Sequence, residues 1–592
     1  MKNLRLYFIL ASFIGFTACI NDILDKKPLD IIFDDIVWND ANLVDSYLAR
    51  EYEQMHIFRF DATTESKNGW DHRASHMWVT NISDEAGPPV WSLANPARYK
   101  RGGLNISGGF LEWWDDAYSR IRMLNVLIEK LPASVNNPDF IESRVAEARF
   151  LRAFNYFALV KRYGGVPLIT KEITINAPEE ELYPQRNSEQ EIYDFVISET
   201  DDIEESVKSF TGYGRVSQGA VLALKCRAAL YAGSIAQFGT VQLNGLLGIP
   251  QTQASVYYQK SYEAAKKIIS LDKYALYNND DNKVTNFKNV FLKEQNSEMI
   301  FARTCDKNNN YTFYGFLNCP KPHGYDAGMS GSPYLEMAES FEYTDGRPGT
   351  LDRNAIQQGL WSMEELWGDK DPRFHASIYT DGTPWKGGEV DWHWGLIGGD
   401  GVLYDIAQDA FGGVPAWGNQ RNGTNFGSGF GILKMLNEES DVNFTEWDDI
   451  DLPVFRYAEI LLNLAEASFE LSKVDEARDA IYQIRDRAGI AGKTSVDRDA
   501  IRQERKVELA FEGHRYWDVR RWRIAVDVLS KPGSRLRYIQ DYNTGKYQLT
   551  IYPDYDGPTT PPRFYEYNYY FPITLNRTGK NPNLAENPGY NE

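Results

Sequence analysis

The sequence predicts a mostly-α protein in which helix pairs form a scaffold with long aromatic-rich loops and little β structure. Three observations predict it. Apolar residues recur at helical spacing through 113–269 and again through 454–528. Between them, 300–450 is dense in Gly, Pro, Asn, Asp and aromatics and lacks long periodicity, which in a compact protein marks functional loop. Tryptophan follows the same division. Of fifteen, six fall before residue 115, six fall between 361 and 417, and none falls between 115 and 360.

Taken in order, the chain opens on an export signal. Lys2 and Arg5 precede the apolar run 6–16, and Thr17, Ala18 and Cys19 close it. That run is too short for a bilayer, which takes roughly twenty residues. The ending is similar to a bacterial lipobox, with Phe16 in place of the usual Leu. It predicts a signal peptide over 1–18 and lipid attachment at Cys19, where each buried methylene of an acyl chain contributes roughly 0.8 kcal/mol. Residues 19–40 read as the lipidated N-terminus and a tether. No later stretch reads as long and apolar enough to span.

The first helix pair is 113–131 and 142–163. Ala117, Ile121, Leu124 and Ile128 stripe the first; Val145, Ala148, Leu151, Phe154 and Phe157 stripe the second, which Phe150 and Ala153 widen toward full enclosure. Gly164-Gly165 supplies its C-cap and Pro167 prevents continuation. Helices follow at 189–207, 217–231 and 256–269, then at 454–471 and 474–488. Asp499 is read as the N-cap of a charged helical stretch ending near 528. In that stretch Glu504, Arg505, Glu508, Glu512, Arg515, Asp518, Arg520 and Arg521 are spaced to pair at i,i+3 and i,i+4. Pairs recurring at roughly 35–45 residues resemble tetratricopeptide packing. The regions 41–300 and 301–592 are read as two parts of one compact domain.

Composition excludes several classes. With 63 basic and 83 acidic residues the net charge is −20, which argues against nucleic acid or an anionic lipid surface as ligand. Beyond Cys19, the three cysteines Cys226, Cys305 and Cys319 form neither a disulfide framework nor a zinc cage. Cys305 and Cys319 either pair or remain free thiols. No catalytic residue, metal ligand or cofactor is assigned.

Four segments in register resemble the SusD/RagB family of surface lipoproteins. They are 147–168 (EARFLRAFNYFALVKRYGGVPL), 456–467 (RYAEILLNLAEA), 504–522 (ERKVELAFEGHRYWDVRRW) and the ending Asn587-Pro588-Gly589-Tyr590. The resemblance implies a scaffold of four tetratricopeptide-like helix pairs and no catalysis. It also implies an outer-membrane, surface-exposed location beside a SusC-like TonB-dependent transporter. In the family a ligand-facing Trp follows an Asp-Glu-Ala stretch, with an Arg upstream. Here Asp84-Glu85-Ala86 precedes Trp91 and Asn95, and Arg73 lies upstream, so these three are the expected ligand contacts. Gly87-Pro88-Pro89 departs from the family's loop length.

A second cluster comes from composition alone. Sugars present flat C–H faces that indole rings match, so the loop residues Trp385, Trp392 and Trp394 are further candidates, weighed against burial as pins for long loops. Trp113, Trp114, Trp517 and Trp522 are expected in the core. The expected function is capture of oligo- or polysaccharide for the transporter. The alternatives are peptide uptake of the RagB kind and, more remotely, a glycoside hydrolase. Hydrolysis would need an opposed carboxylate pair, and carboxylates among guanidinium groups stay ionised and make poor general acids.

Overall fold

The structure, a computed structural model, describes residues 34–60, 76–87, 111–207, 212–307, 312–320, 331–419, 427–440, 448–555 and 563–590. Helix α1 (Ala41–Glu53) precedes the pair α2 (Trp114–Lys130) and α3 (Pro138–Tyr163). Next come α4 (Glu189–Ile203), α5 (Gln218–Phe238) and α6 (Ala254–Ser270), each packed against the one before. The short helices α7 (Lys283–Leu292) and α8 (Pro372–Ser377) meet each other across the loop region. A last pair, α9 (Tyr457–Glu470) and α10 (Val474–Ala488), seats α9 on α6. Two charged helices, α11 (Arg498–Glu508) and α12 (Arg515–Arg521), follow.

Local chemistry explains the boundaries. Asn137 caps α3 through its side chain and Pro138 opens it, where a missing N–H costs nothing. Gly164 ends it at φ 73°, and a Cβ there would lie 2.4 Å from the Leu247 side chain. Ser188 and Glu191 close a capping box on α4. α10 spans 474–488 as the periodicity predicts and stops on Gly489 in the left-handed conformation.

Four expectations are corrected. The helix expected from 454 starts at Tyr457, because 452–456 is a fully buried strand. The helix expected to end at 231 continues to Phe238, since Gly233 is a contact point beneath the Tyr258 ring and not a stop. The N-cap ahead of the charged stretch is Asp497, not Asp499, and the stretch breaks where Phe511, Gly513 and Arg523 take positive φ. α5 is also long and apolar enough in composition to cross a membrane, contrary to the reading of the sequence, yet it is the buried centre of the scaffold.

The strands are short. β1 (Ala86–Gly87), β2 (Met299–Arg303), β3 (Ser332–Pro333), β4 (Leu360–Trp361), β5 (Leu396–Ile397), β6 (Leu403–Tyr404), β7 (Leu452–Arg456), β8 (Arg535–Asp541) and β9 (Tyr547–Tyr552) matter here. β1 pairs with β3 and β2 with β7, both antiparallel. The order β4-β9-β8-β5-β6 makes a five-stranded sheet over the loop region. Buried apolar residues form two cores. One unites the helices, and the other gathers the loops around Phe374, Tyr379, Trp367 and Phe430.

A buried ionic network joins them. Arg456 donates to Glu298 at 2.7 Å, to Glu508 at 2.7 Å and to Glu512 at 2.7 Å. Arg373, from α8, donates to Glu504 at 2.6 Å and Glu508 at 2.9 Å, and Arg487 also reaches Glu508 and Glu298. Local pairing was expected in the charged stretch. Arg521–Asp518 is such an i,i+3 pair, while Glu504, Glu508 and Glu512 reach partners elsewhere in the chain. The three cysteines described, Cys226, Cys305 and Cys319, are free thiols.

Candidate functional site

The hairpin β8–β9 builds a half-open aromatic surface together with Trp394. Its register sets Arg535 opposite Tyr552 and Arg537 opposite Thr550. Side chains alternate along a strand, so Leu536 and Tyr538 enter the second core while Arg535 and Arg537 stay half-buried on the other face. The Arg535 guanidinium lies 4.3 Å from the Tyr552 ring, 4.8 Å from Trp394 and 5.6 Å from Tyr555. Arg537 lies 4.5 Å from the Trp394 ring and donates through Nε to the Trp394 carbonyl at 2.6 Å. Trp394 and Tyr552 stack at 6.3 Å, tilted by 24°. Cation–π contacts of this kind contribute roughly 0.5–1 kcal/mol where exposed, and they hold both guanidinium groups beside half-open rings.

A second aromatic line leads from this platform to β1. Tyr555 packs edge-on against Tyr334 at 6.4 Å. Tyr334 lies so close to Gly87 that a Cβ there would sit 2.8 Å from its hydroxyl. A cleft of about 180 Å³ opens beside Tyr334 between Asp84, Glu336, Leu529 and Lys531.

The Asp-Glu-Ala stretch proves to be a clasp. Asp84 accepts from Arg515 at 2.7 Å and from Lys506 at 3.0 Å. Burial opposes the Asp84 charge, but these cations outweigh it and hold the carboxyl well below the usual range. Glu85 accepts the Phe511 amide at 3.0 Å, and burial pushes its carboxyl up to about 7. Asp448, accepting the Gly315 amide at 3.0 Å, is likewise pushed by burial to about 7.

Of the residues expected at the site, Trp394 is half-buried in the platform. Trp385 and Trp392 are corrected: at 4% exposure each, both are closed into the second core, and their rings offer no face to a ligand. Long loops need a core of their own, and these indoles supply it, Trp392 packing on Tyr379 at 5.5 Å. Trp113, Trp114, Trp517 and Trp522 are core residues as expected. The expected lipid site Cys19 and the expected contacts Arg73, Trp91 and Asn95 lie outside the described residues. Sequence reasoning missed Arg535, Arg537, Tyr552 and Tyr555. Two alternating runs around Asn543-Thr544-Gly545 are a hairpin signal that could have found them.

Asp381, Asp391 and His393 bring ligand-type atoms within 4.8 Å of one another. His393 faces Asp391 through Nδ1 at 2.5 Å and the Pro415 carbonyl through Nε2 at 2.9 Å. Both ring nitrogens therefore meet acceptors. Burial works against the charge, but the Asp391 contact outweighs it and raises the His393 pKa. These two contacts tie the loop that carries His393 to Asp391 and to the Pro415 backbone.

Comparison with known proteins adds family evidence. Residues 287–590 match the family model described as the SusD family, and residues 24–230 match one described as starch-binding associating with outer membrane. SusD-like protein P38 of Formosa agariphila is 24% identical over 561 residues, covering 89% of this chain and 93% of its own. The starch-binding protein SusD of Bacteroides thetaiotaomicron is 25% identical over 472 residues, covering 75% and 72%. A SusD-like protein structure from Bacteroides fragilis superposes with a TM-score of 0.74 at 24% identity, covering 95% of this chain and all of that one. Surface glycan-binding protein A from Bacteroides thetaiotaomicron, solved with laminarihexaose, gives 0.60 at 16% identity, covering 92% and 99%.

Proposed function

The chain belongs to the SusD family, and on that premise we propose that it is a surface lipoprotein that captures oligo- or polysaccharide and delivers it to a SusC-like TonB-dependent transporter. It binds and does not cleave. Cys19 anchors it to the outer membrane, with the binding face outward. The observation that carries the reading is the half-open platform of Trp394, Tyr552, Arg535 and Arg537. Ring faces suit the C–H faces of sugars, and guanidinium donors suit their oxygens. Trp91, with Arg73 and Asn95, is proposed to extend the platform. Covalent reach keeps residue 91 within about 14 Å of Gly87, and Gly87 touches the Tyr334 end of the aromatic line.

The two guanidinium groups also suit carboxylates, which favours peptide as the second reading. Affinity electrophoresis of the purified soluble chain through laminarin, soluble starch, xylan and pectin tests the first. Retardation by at least one, without release of reducing ends, is expected. Mobility unchanged in all four, together with capture of a peptide library, would move the assignment to peptide.

A further inference from the structure

Apart from that platform, a cleft of about 640 Å³ lies against the helical core. Its volume is in the range that small-molecule sites occupy. The walls are Phe238 and Thr240 at the end of α5, Arg523 beyond α12, and Glu566, Tyr567, Tyr569 and Tyr570 near the C-terminus. No lining residue is shared with Trp394, Tyr552, Tyr555 or Tyr334.

The lining is prearranged. Arg523 is wedged between Tyr569 at 4.6 Å and Tyr570 at 4.8 Å and donates to the Tyr570 hydroxyl at 2.6 Å. That hydroxyl donates in turn to the buried Glu189 at 2.7 Å. Tyr567 lies parallel to Tyr565, 5.3 Å apart at 6°, and meets Tyr590 edge-on at 5.1 Å. Gly589, at φ 86°, leaves room for it, since a Cβ there would sit 2.4 Å from the Tyr567 ring. Glu566 is exposed at the rim, and its carboxylate takes no hydrogen bond or ion pair among the described residues.

We infer that this cleft is a second saccharide-binding site, taking a short neutral oligosaccharide; the inference rests on the reading of the chain as a glycan binder. Tyr567 and Phe238 supply ring faces, the Tyr567 and Tyr569 hydroxyls and the Arg523 N–H groups not bound to Tyr570 supply donors, and Glu566 supplies an acceptor for paired hydroxyls. The open rim group is the Glu566 carboxylate, which repels an anionic ligand. Peptide is less suited, since the cleft shows no free strand edge to pair with its backbone. Two sites on one chain hold a polymer by avidity, each raising the local concentration of ligand at the other.

The test is gel retardation of the full soluble chain in the same four polysaccharides. Trp394→Ala/Tyr552→Ala should lose part of the retardation in the best gel. Adding Glu566→Arg, a surface change that leaves Tyr567 seated, should remove at least tenfold of what remains. Tyr567→Ala should do the same, with thermal melts confirming folded protein. If the residual retardation ignores both changes, the second site is wrong and the first stands. If wild type is retarded by none of the four, both readings fall together.

Discussion

Asp84 and Arg515 stand 431 residues apart in the chain yet share two hydrogen bonds, of 2.7 and 3.0 Å. Lys506 adds a third from the same charged region. The pair fixes β1 to α11 and α12, and so fixes where the chain leaves Gly87. Asp84→Ala would strand two cations in a largely closed site, where breaking such a pair costs about 3 kcal/mol or more. The expected result is a lower denaturation midpoint in urea with an unchanged m-value.

The neighbouring Glu85 carries the opposite pH signature. Its folded pKa, about 7, lies above the unfolded value, so the folded state binds the extra proton. Stability on its account is full below about pH 4.3 and is lost as pH rises to 7, at up to about 1.4 kcal/mol per unit. Glu85→Gln should flatten that part of the profile. Asp84, with its depressed pKa, contributes stability above about pH 3.9 that is lost as pH falls further. Urea melts of wild type and variant from about pH 4 to 8 measure the Glu85 effect, and extending the series below about pH 3.9 measures that of Asp84. Parallel curves would show that Glu85 is ionised throughout.

Trp394 and Trp392, two residues apart, should behave oppositely. Trp394→Ala should weaken polysaccharide binding by about 1–3 kcal/mol, by analogy with other stacking platforms, or roughly ten- to a hundredfold. Its melting temperature should stay near wild type. Trp392→Ala opens the second core and should cost about 3–5 kcal/mol of stability. Trp91→Ala is expected to follow Trp394. Isothermal titration beside thermal melts separates the two behaviours, and early melting of Trp394→Ala would remove it from the site.

Anchoring has a direct check. Cys19→Ala should release the protein from the outer-membrane fraction, and mass spectrometry of the wild type should find acyl chains on residue 19. Equal membrane retention of wild type and variant, with an unmodified Cys19, would end the lipoprotein reading.

The scaffold was legible wherever a stripe was strong and a stop signal local. α10 fell at 474–488, and α3 ended at Gly164. The strand at 452–456 was not legible, because a short apolar run carries no period that tells strand from buried helix. Nor were the breaks in the charged stretch. Gly513 takes positive φ with Phe60 pressed against it, a contact from the other end of the chain. The site divides in the same way. Loop tryptophans could be counted from sequence, but which of them faced outward depended on tertiary packing, Trp392 against Tyr379 and Trp394 against the hairpin of Arg535, Arg537 and Tyr552.

The buried charges around Arg456 have a consequence for how the molecule comes apart. Glu298 stands at the start of β2, Glu508 on α11 and Arg373 on α8, so helical and loop regions each contribute charges that the other neutralises. Neither core could separate from the other without leaving bare ions in a low-dielectric interior. Calorimetry should accordingly record one heat-absorption peak for the whole chain, with van't Hoff and calorimetric enthalpies in agreement. A glycan bound at the loop face would then raise the melting of helices that it never touches.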